Sequence, residues 1–420
     1  MYDQSFNIRT LSGCFQPEDF KKWKKLKVPD ERQKTILLAS IRAQQGFLGV
    51  NLSSSVIRGK NVYWLDEVSD ILVLRKVKNN IVKTNRMKSV PRTVIVNSLK
   101  SLVSECSQYR VYRLDIKSFY ESFKADFVYK HVDGLRNLSV KTKQLLKELL
   151  YSYHINGGHG IPRGLSVSAV LSESLMQSFD EFVRGEEAVF YYARYVDDII
   201  IVTGGYEENH SFLRSLRSAL PQGLKFNNGK KFFVSDVIKK SPKSKQNTHV
   251  NILFSFEYLG YRFVITDNVI ECNIRGLYRQ VDIDLARNKV NKIKSRIVYS
   301  IISFNKNSDF DLLCERLMFL SGNFSVPDSD RMLKFLSGIH YNYPLLNARN
   351  SEGLSEIDSF LKKAILSSYG KVFSKFFMKL TQEQKCRLLK FSFIRGHEKC
   401  YFFHYSATKM FKIQECWKYV

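Results

Sequence analysis

The sequence predicts an α+β chain, on three observations. Short β-forming runs recur at 111–120, 189–202 and 256–263; apolar residues at helical spacing separate them; and after residue 280 the pattern turns helical. At roughly 100–200 residues per domain, 420 residues allow two to four domains. A hydrophobic content of 44% is enough for each to bury a core, which excludes a wholly disordered chain. Lys and Arg number 66 against 40 Asp and Glu, a formal charge of +26 that favours a polyanionic partner, nucleic acid or an acidic membrane. No apolar run approaches the ~18 residues of a bilayer-spanning helix. The start MYDQSFNIRT lacks the basic-then-apolar order of a signal peptide, so the chain reads as cytosolic. Seven cysteines with no CxxC pair read as reduced thiols rather than a disulfide framework or zinc ribbon.

In order along the chain, Lys21 to Lys27 places five lysines around Trp23, a solvated helix face or a nucleic-acid contact. From Ile81 to Val96, Lys83, Arg86, Lys88 and Arg92 mix with Thr93-Val94-Ile95-Val96, which suggests a strand pair joined by a basic turn. The β-run Val111–Tyr120 carries one acid, Asp115. Leu145, Leu146, Leu149 and Leu150 recur at helical spacing, and a Gly-rich turn at 157–164 leads into a packed helix over 166–179. Val189–Val202, aromatic and β-branched around Asp197-Asp198, reads as a hairpin. A helix through Phe212, Leu213, Leu216 and Leu220 follows, then a Lys-rich turn at 227–231, a basic loop at 239–250 and a strand over 256–263. Beyond 280, Ala286, Val290, Ile293 and Ile297 form one helix face and Lys289, Lys292 and Arg296 another. Roughly the last 130 residues read as all-helical.

Tandem acids in an apolar β-stretch are costly unless paired or bound to a cation. A hairpin turn breaks side-chain alternation, so Asp197 and Asp198 can reach the same end of the sheet, and Asp115 can join them if its strand is a neighbour. Three converging carboxylates repel without a metal, and Mg²⁺ suits them: hard oxygen ligands, few protein carboxylates, remaining positions given to water and phosphates. Two ions ~3.5–4 Å apart would activate an attacking 3′-oxygen and stabilise a leaving pyrophosphate. On spacing alone, a solvent-exposed Asp-Asp turn remains the alternative.

The order of the other segments resembles the palm of a reverse transcriptase. Leu114-Asp115-Ile116-Lys117-Ser118-Phe119-Tyr120 is similar to the family's first catalytic motif. Gly160-Ile161-Pro162-Arg163-Gly164 with Ser166, Ser168 and Leu171-Ser172-Glu173 is similar to the template and nucleotide cradle. Tyr195-Val196-Asp197-Asp198 resembles the YxDD signature, Asn227 with Lys230 the Asn-x-x-Lys that follows it, and Glu257 to Tyr261 the primer-grip turn. Lys83 and Arg92-Thr93-Val94 resemble fingers residues that hold the incoming triphosphate. Together these cover about residues 75–265.

The resemblance implies a right-hand polymerase fold: an N-terminal segment and fingers over 1–110, a palm with an antiparallel sheet over 111–265, a helical thumb over 266–345 and a helical C-terminal extension over 346–420. It implies RNA-directed DNA synthesis from dNTPs with two Mg²⁺ ions, Mn²⁺ being a substitute, held by Asp115, Asp197, Asp198 and the backbone of Ile116. Lys230 is the candidate general acid. Lys83, Arg92, Tyr120, Arg163 and Gly164 are the candidate nucleotide-binding residues, Tyr120 lying beneath the sugar. Lys289, Lys292 and Arg296 are the candidate nucleic-acid contacts.

Arg163 stands where many retroviral and intron enzymes carry Gln, and the fingers segment is short, without a Gly pair before Arg92. The short fingers, the small-residue run ending in Leu171-Ser172-Glu173 and the compact helical tail resemble the bacterial defence-associated group. Gln4-Ser5-Phe6 resembles the start of its type 3 systems. That implies a cytoplasmic bacterial enzyme with a dedicated non-coding RNA as template, a DNA product, a second reverse transcriptase in a higher-order assembly, and no membrane. A polymerase-shaped RNA-binding protein and an RNA-templated RNA polymerase are the alternatives. His397, Cys400 and His404, with Cys386 and Cys416, have zinc-type ligands at irregular spacing and read as core residues. No GxxxxGK[ST], HExxH or GxSxG segment is present.

Overall fold

The computed structural model describes residues 2–57, 59–85, 90–227, 233–237, 252–272, 276–327 and 334–418. The chain forms two compact units, one of residues 1–90 with 107–239, the other of 91–106 with 240–420.

In the first unit, a two-stranded hairpin of β1 (Ser53–Ile57) and β2 (Lys60–Trp64) precedes a four-stranded antiparallel sheet. The sheet contains β3 (Tyr109–Asp115), β4 (Val189–Tyr195), β5 (Asp198–Thr203) and β6 (Phe233–Val237), in the order β4-β5-β3-β6. Alternation sorts the central strands. Tyr112, Leu114, Ile199 and Ile201 lie on the face that joins the main apolar core. Val111, Asp115, Asp198, Ile200 and Val202 lie on the other. That core is built with helices Pro29–Gln45, Val68–Thr84, Val140–Ile155 and Ser166–Leu175. Five consecutive residues of β5, Ile199 to Thr203, are buried, as a strand covered on both faces requires.

In the second unit, β7 (Ile252–Tyr258), β8 (Tyr261–Cys272) and β9 (Gly276–Leu285) form an antiparallel sheet. The helix Arg287–Asn307 follows and packs against helices Phe310–Ser321, Glu352–Leu366 and Lys371–Lys379. Val290, Ile297, Ile301 and Phe304 give that helix its buried face.

Three expectations need correction. Residues 81–96 hold no strand pair among the described residues: Lys83 ends the helix Val68–Thr84, and Arg92 begins the helix Arg92–Val103. Ile95, Val96, Leu99 and Val103 are buried at helical spacing, so burial of one face overrides the β-branched preference of Thr93 to Val96. The run 256–263 is two strands, turned at Leu259 (φ 47°) and Gly260 (φ 80°). The C-terminal region is not all-helical, since β10 (Asn323–Pro327), β11 (Lys334–Gly338) and β12 (Phe402–Phe403) make a small sheet in the order β11-β10-β12. The basic loop at 239–250 lies outside the described residues apart from its backbone neighbours in β6 and β7.

Candidate active site

Asp115 ends β3 and Asp198 begins β5, and the two are directly opposed in the antiparallel register. Opposed residues project to the same face, so both carboxylates leave the sheet on the side away from the helix-packed core. Tyr195 of β4 opposes Asp198 from the other flank. Between Tyr195 and Asp198 runs a two-residue turn of Val196 and Asp197, in which Val196 takes φ +61°. A β-branched side chain in that region is strained, and such strain persists where surrounding contacts over-determine the backbone. Two contacts do so here: the Ile116 N–H donates to the Asp197 carbonyl (3.1 Å), and Arg194 Nη1 donates to the Val196 carbonyl (3.1 Å).

Asp115 is 4% exposed and is gripped by Asn227. The Asn227 N–H donates to the Asp115 carbonyl (2.7 Å), and its side-chain Nδ2 donates to Asp115 Oδ2 (3.1 Å). The segment before Asn227 runs alongside the residues that follow Asp115, with Phe226 bridged to Ile116 and the Lys117 N–H on the Lys225 carbonyl (3.0 Å). One carboxylate oxygen of Asp115 is thereby oriented.

Tyr120 sits five residues beyond Asp115, packed edge-on to Phe119 and under the Arg163 guanidinium, 4.9 Å from its ring centre. Burial raises its hydroxyl pKa, and the Asp197 and Glu173 charges add to the rise against the Ser172 hydrogen bond and the Arg163 charge. Arg163 itself is committed to Glu121 through a two-pronged pair, Nε at 3.0 Å and Nη2 at 3.3 Å. Gly160 (φ +66°) lies against the Tyr120 carbonyl, where a Cβ would come within 2.2 Å. Gly164 (φ +105°) lies against β2, where a Cβ would meet the Tyr63 carbonyl at 2.6 Å. The Tyr63 N–H donates to the Arg163 carbonyl (2.7 Å), so the hairpin docks on the Gly-rich turn. From this hairpin Lys60 reaches Ser118 Oγ at 3.3 Å.

Sequence reasoning named Asn227 only within the Asn-x-x-Lys motif and passed over Lys60 and Arg194. The β-branched and aromatic pairs Val56-Ile57 and Val62-Tyr63 on either side of Gly59 (φ +72°) carried a hairpin signal that would have found Lys60. Lys83 is exposed in the last turn of its helix, about 22 Å along the axis from Val68 at ~1.5 Å per residue. Arg92 belongs to the second unit, where Nε donates to the Leu259 carbonyl (2.7 Å) and Nη1 to the Asn342 carbonyl (3.0 Å), with the rings of Tyr261 and Tyr343 4.9 and 5.2 Å from the guanidinium. Lys289, Lys292 and Arg296 share one face of the helix Arg287–Asn307 and line a cavity of about 240 Å³ together with Phe319 and Phe324. Lys230 lies outside the described residues.

Among the described residues, no three His, Cys, Asp or Glu side chains close on a common point. The donor set still fits Mg²⁺, which is held by one or two carboxylates and completes its shell with water and substrate phosphates. His397, by contrast, is buried with Nε2 donating to the Tyr343 carbonyl (2.9 Å), a core contact. No helix among the described residues is long and apolar enough to cross a membrane.

Comparison with known proteins gives one family and several distant structures. Telomerase from Candida Tropicalis, solved with the TWJ fragment of telomeric RNA, is 13% identical, with 89% of this chain and 64% of that chain covered and a TM-score of 0.35. Telomerase from Candida albicans with a TWJ fragment is 11% identical, covering 77% and 53%, TM-score 0.30. Apo telomerase from Candida Tropicalis, truncated from its C-terminal domain, is 13% identical, covering 55% and 42%, TM-score 0.25. The chain thus spans 42 to 64% of the length of these telomerase chains. No curated protein matches. Residues 50–263, just over half of the chain, match the family described as reverse transcriptase (RNA-dependent DNA polymerase), and they include the opposed aspartates, the strained turn and the Gly-rich segment. The chain belongs to the reverse transcriptase family.

Proposed function

We propose that the chain extends a primer on an RNA template, adding deoxynucleotides by in-line displacement at the end of the β3–β5 pair. The observation that carries this reading is the register match of Asp115 with Asp198 beside the turn that presents Asp197. Asp115 and Asp197, supported by Asp198 and the Ile116 backbone, would hold two Mg²⁺ ions, which supply charge neutralisation of the triphosphate and a more acidic primer hydroxyl. The protein's own part is orientation. Asn227 fixes the orientation of the Asp115 carboxylate through Oδ2. Tyr120, held by Phe119, Arg163 and the Gly160 segment, offers a rigid ring beneath the incoming sugar. Lys60 supports triphosphate contact better than Lys83 or Arg92, because it stands beside Ser118 while Nε and Nη1 of Arg92 are engaged by the Leu259 and Asn342 carbonyls. Arg163 and Gly164 act through shape, one bracing Tyr120 and the other admitting β2. Lys230 remains the proposed proton donor to pyrophosphate, and Lys289, Lys292 and Arg296 the phosphate contacts of primer and template. The four-part division at residues 110, 265 and 345 stands as part of the same proposal.

The finer reading is a cytoplasmic bacterial enzyme of antiphage defence, working on a dedicated non-coding RNA beside a second reverse transcriptase. It is supported by the short fingers segment, the run ending at Glu173 and the Gln4-Ser5-Phe6 start. Sequencing the nucleic acid that copurifies with the protein tests both levels. A single RNA species with complementary DNA supports the reading. RNA without any DNA product favours a binding protein.

A further inference from the structure

We propose that Arg194 is a positioning residue that holds the Val196-Asp197 turn in its working shape. Its consequence for catalysis rests on the polymerase reading above; its effect on the turn does not. Arg194 opposes Ile199 in the hairpin register and therefore projects to the helix-packed face, whereas its neighbour Tyr195 opposes Asp198 and projects to the other. On the inner face the guanidinium is 3% exposed and bonds two carboxylates. Nε and Nη2 donate to Asp180 at 2.8 and 2.7 Å, and Nη1 and Nη2 to Glu173 at 3.0 and 2.8 Å. Tyr192 Oη donates to Asp180 at 2.6 Å, completing the acceptor side. Burial works against the charge, yet Asp180 and Glu173 outweigh it and raise the guanidinium pKa, so Arg194 stays cationic.

One donor of this fork leaves the carboxylates. Nη1 also bonds the carbonyl of Val196, the residue held at φ +61°. That carbonyl belongs to the peptide plane before Asp197. The plane after Asp197 is held by a second, separate contact, the Ile116 N–H on the Asp197 carbonyl. With both flanking planes fixed, the direction in which Asp197 leaves the backbone is fixed as well. A planar five-donor fork can satisfy two carboxylates and a carbonyl at once; a lysine ammonium, a point charge with three donors, cannot span all three. Glu173 and Asp180, on helices Ser166–Leu175 and Gln177–Gly185, thus tie the turn to the inner core through one side chain.

The test combines Arg194→Lys and Arg194→Gln, each alone and with Val196→Gly, and reads two quantities: hydrogen exchange at the Ile116 amide and single-nucleotide addition on a primer-template. Either Arg194 substitution should speed Ile116 exchange about tenfold. It should also lower kcat by about 10- to 100-fold, the scale of a ~1 Å misplacement, with KM for primer-template within about twofold. Val196→Gly accepts the positive φ without strain and should recover most of both losses in the Arg194 variants. Arg194→Lys keeps a cation between the carboxylates and serves where Arg194→Gln fails to fold. Equal losses with and without Val196→Gly would overturn the proposal, as would Ile116 exchange that ignores Arg194. If the wild-type protein makes no DNA while Ile116 exchange responds as described, the turn-holding role stands and the polymerase reading falls.

Discussion

Gly160→Ala should damage both stability and nucleotide selection, by amounts that follow from the geometry. A Cβ at residue 160 would lie 2.2 Å from the Tyr120 carbonyl oxygen and 2.8 Å from the Glu121 carbonyl carbon, both backbone atoms. Ordinary contact begins near 3.4 Å, so the Tyr120 carbonyl must retreat by about 1 Å. That carbonyl accepts the N–H of Ile161 at 2.8 Å, and Ile161 is fully buried. Losing the bond costs about 1–2 kcal/mol, and forcing a non-glycine residue to φ +66° about 1 kcal/mol more. A total of about 3 kcal/mol lowers Tm by roughly 6–12 °C for a unit of this size. The shift of Tyr120 should cost about 100-fold in deoxynucleotide addition. Gly157→Ala is the control: φ is +80° but nothing lies within 4 Å of its Cβ, so only the conformational part applies, about 1 kcal/mol. Thermal melting and single-nucleotide kinetics on the two variants separate the contributions. Equal effects of Gly157→Ala and Gly160→Ala would refute the steric argument.

Three further outcomes are expected. Tyr120→Ala should raise ribonucleotide over deoxynucleotide incorporation by about ten- to several hundredfold, at roughly 1.4 kcal/mol per factor of ten; a constant ratio with both rates reduced would mean that the ring only packs. Lys60→Ala, an exposed substitution, should leave Tm unchanged and raise KM for the deoxynucleotide about tenfold, measured by steady-state extension; an unchanged KM would remove Lys60 from triphosphate binding. Replacing Lys289, Lys292 and Arg296 together by Glu should weaken primer-template binding and flatten its salt dependence, by about 0.7–0.9 in log–log slope per lost phosphate contact; the same slope in both proteins would place the nucleic acid elsewhere.

What could be read in advance follows from where the physics is local. The 189–202 hairpin was legible because aromatic and β-branched residues flank two acids that the strand cannot bury, and the register then brings Asp115 opposite Asp198. The segment 81–96 was not, because Thr93 to Val96 favour a strand locally, whereas burial of Ile95, Val96, Leu99 and Val103 along one face makes it a helix. Pro91 stands at the N-cap of that helix, where a missing backbone N–H costs no intrahelical bond. The strands of the C-terminal region are two to five residues long and carry little periodic signal, so the surrounding helices mask them. Asn227 and Arg194 act through partners 112 and up to 21 positions away in sequence, and only the assembled sheet shows what each one holds.

The central claim is that the carboxylates at the end of the β3–β5 pair perform nucleotidyl transfer. Primer extension on an RNA template with Mg²⁺ and deoxynucleotides, comparing wild type with Asp197→Ala, tests it most directly. Wild type should extend the primer. Asp197→Ala should lose about a thousandfold or more of that rate while its melting temperature and RNA affinity stay near those of wild type, because the lost group serves the reacting phosphates rather than the core. Extension by Asp197→Ala at the wild-type rate would contradict the account.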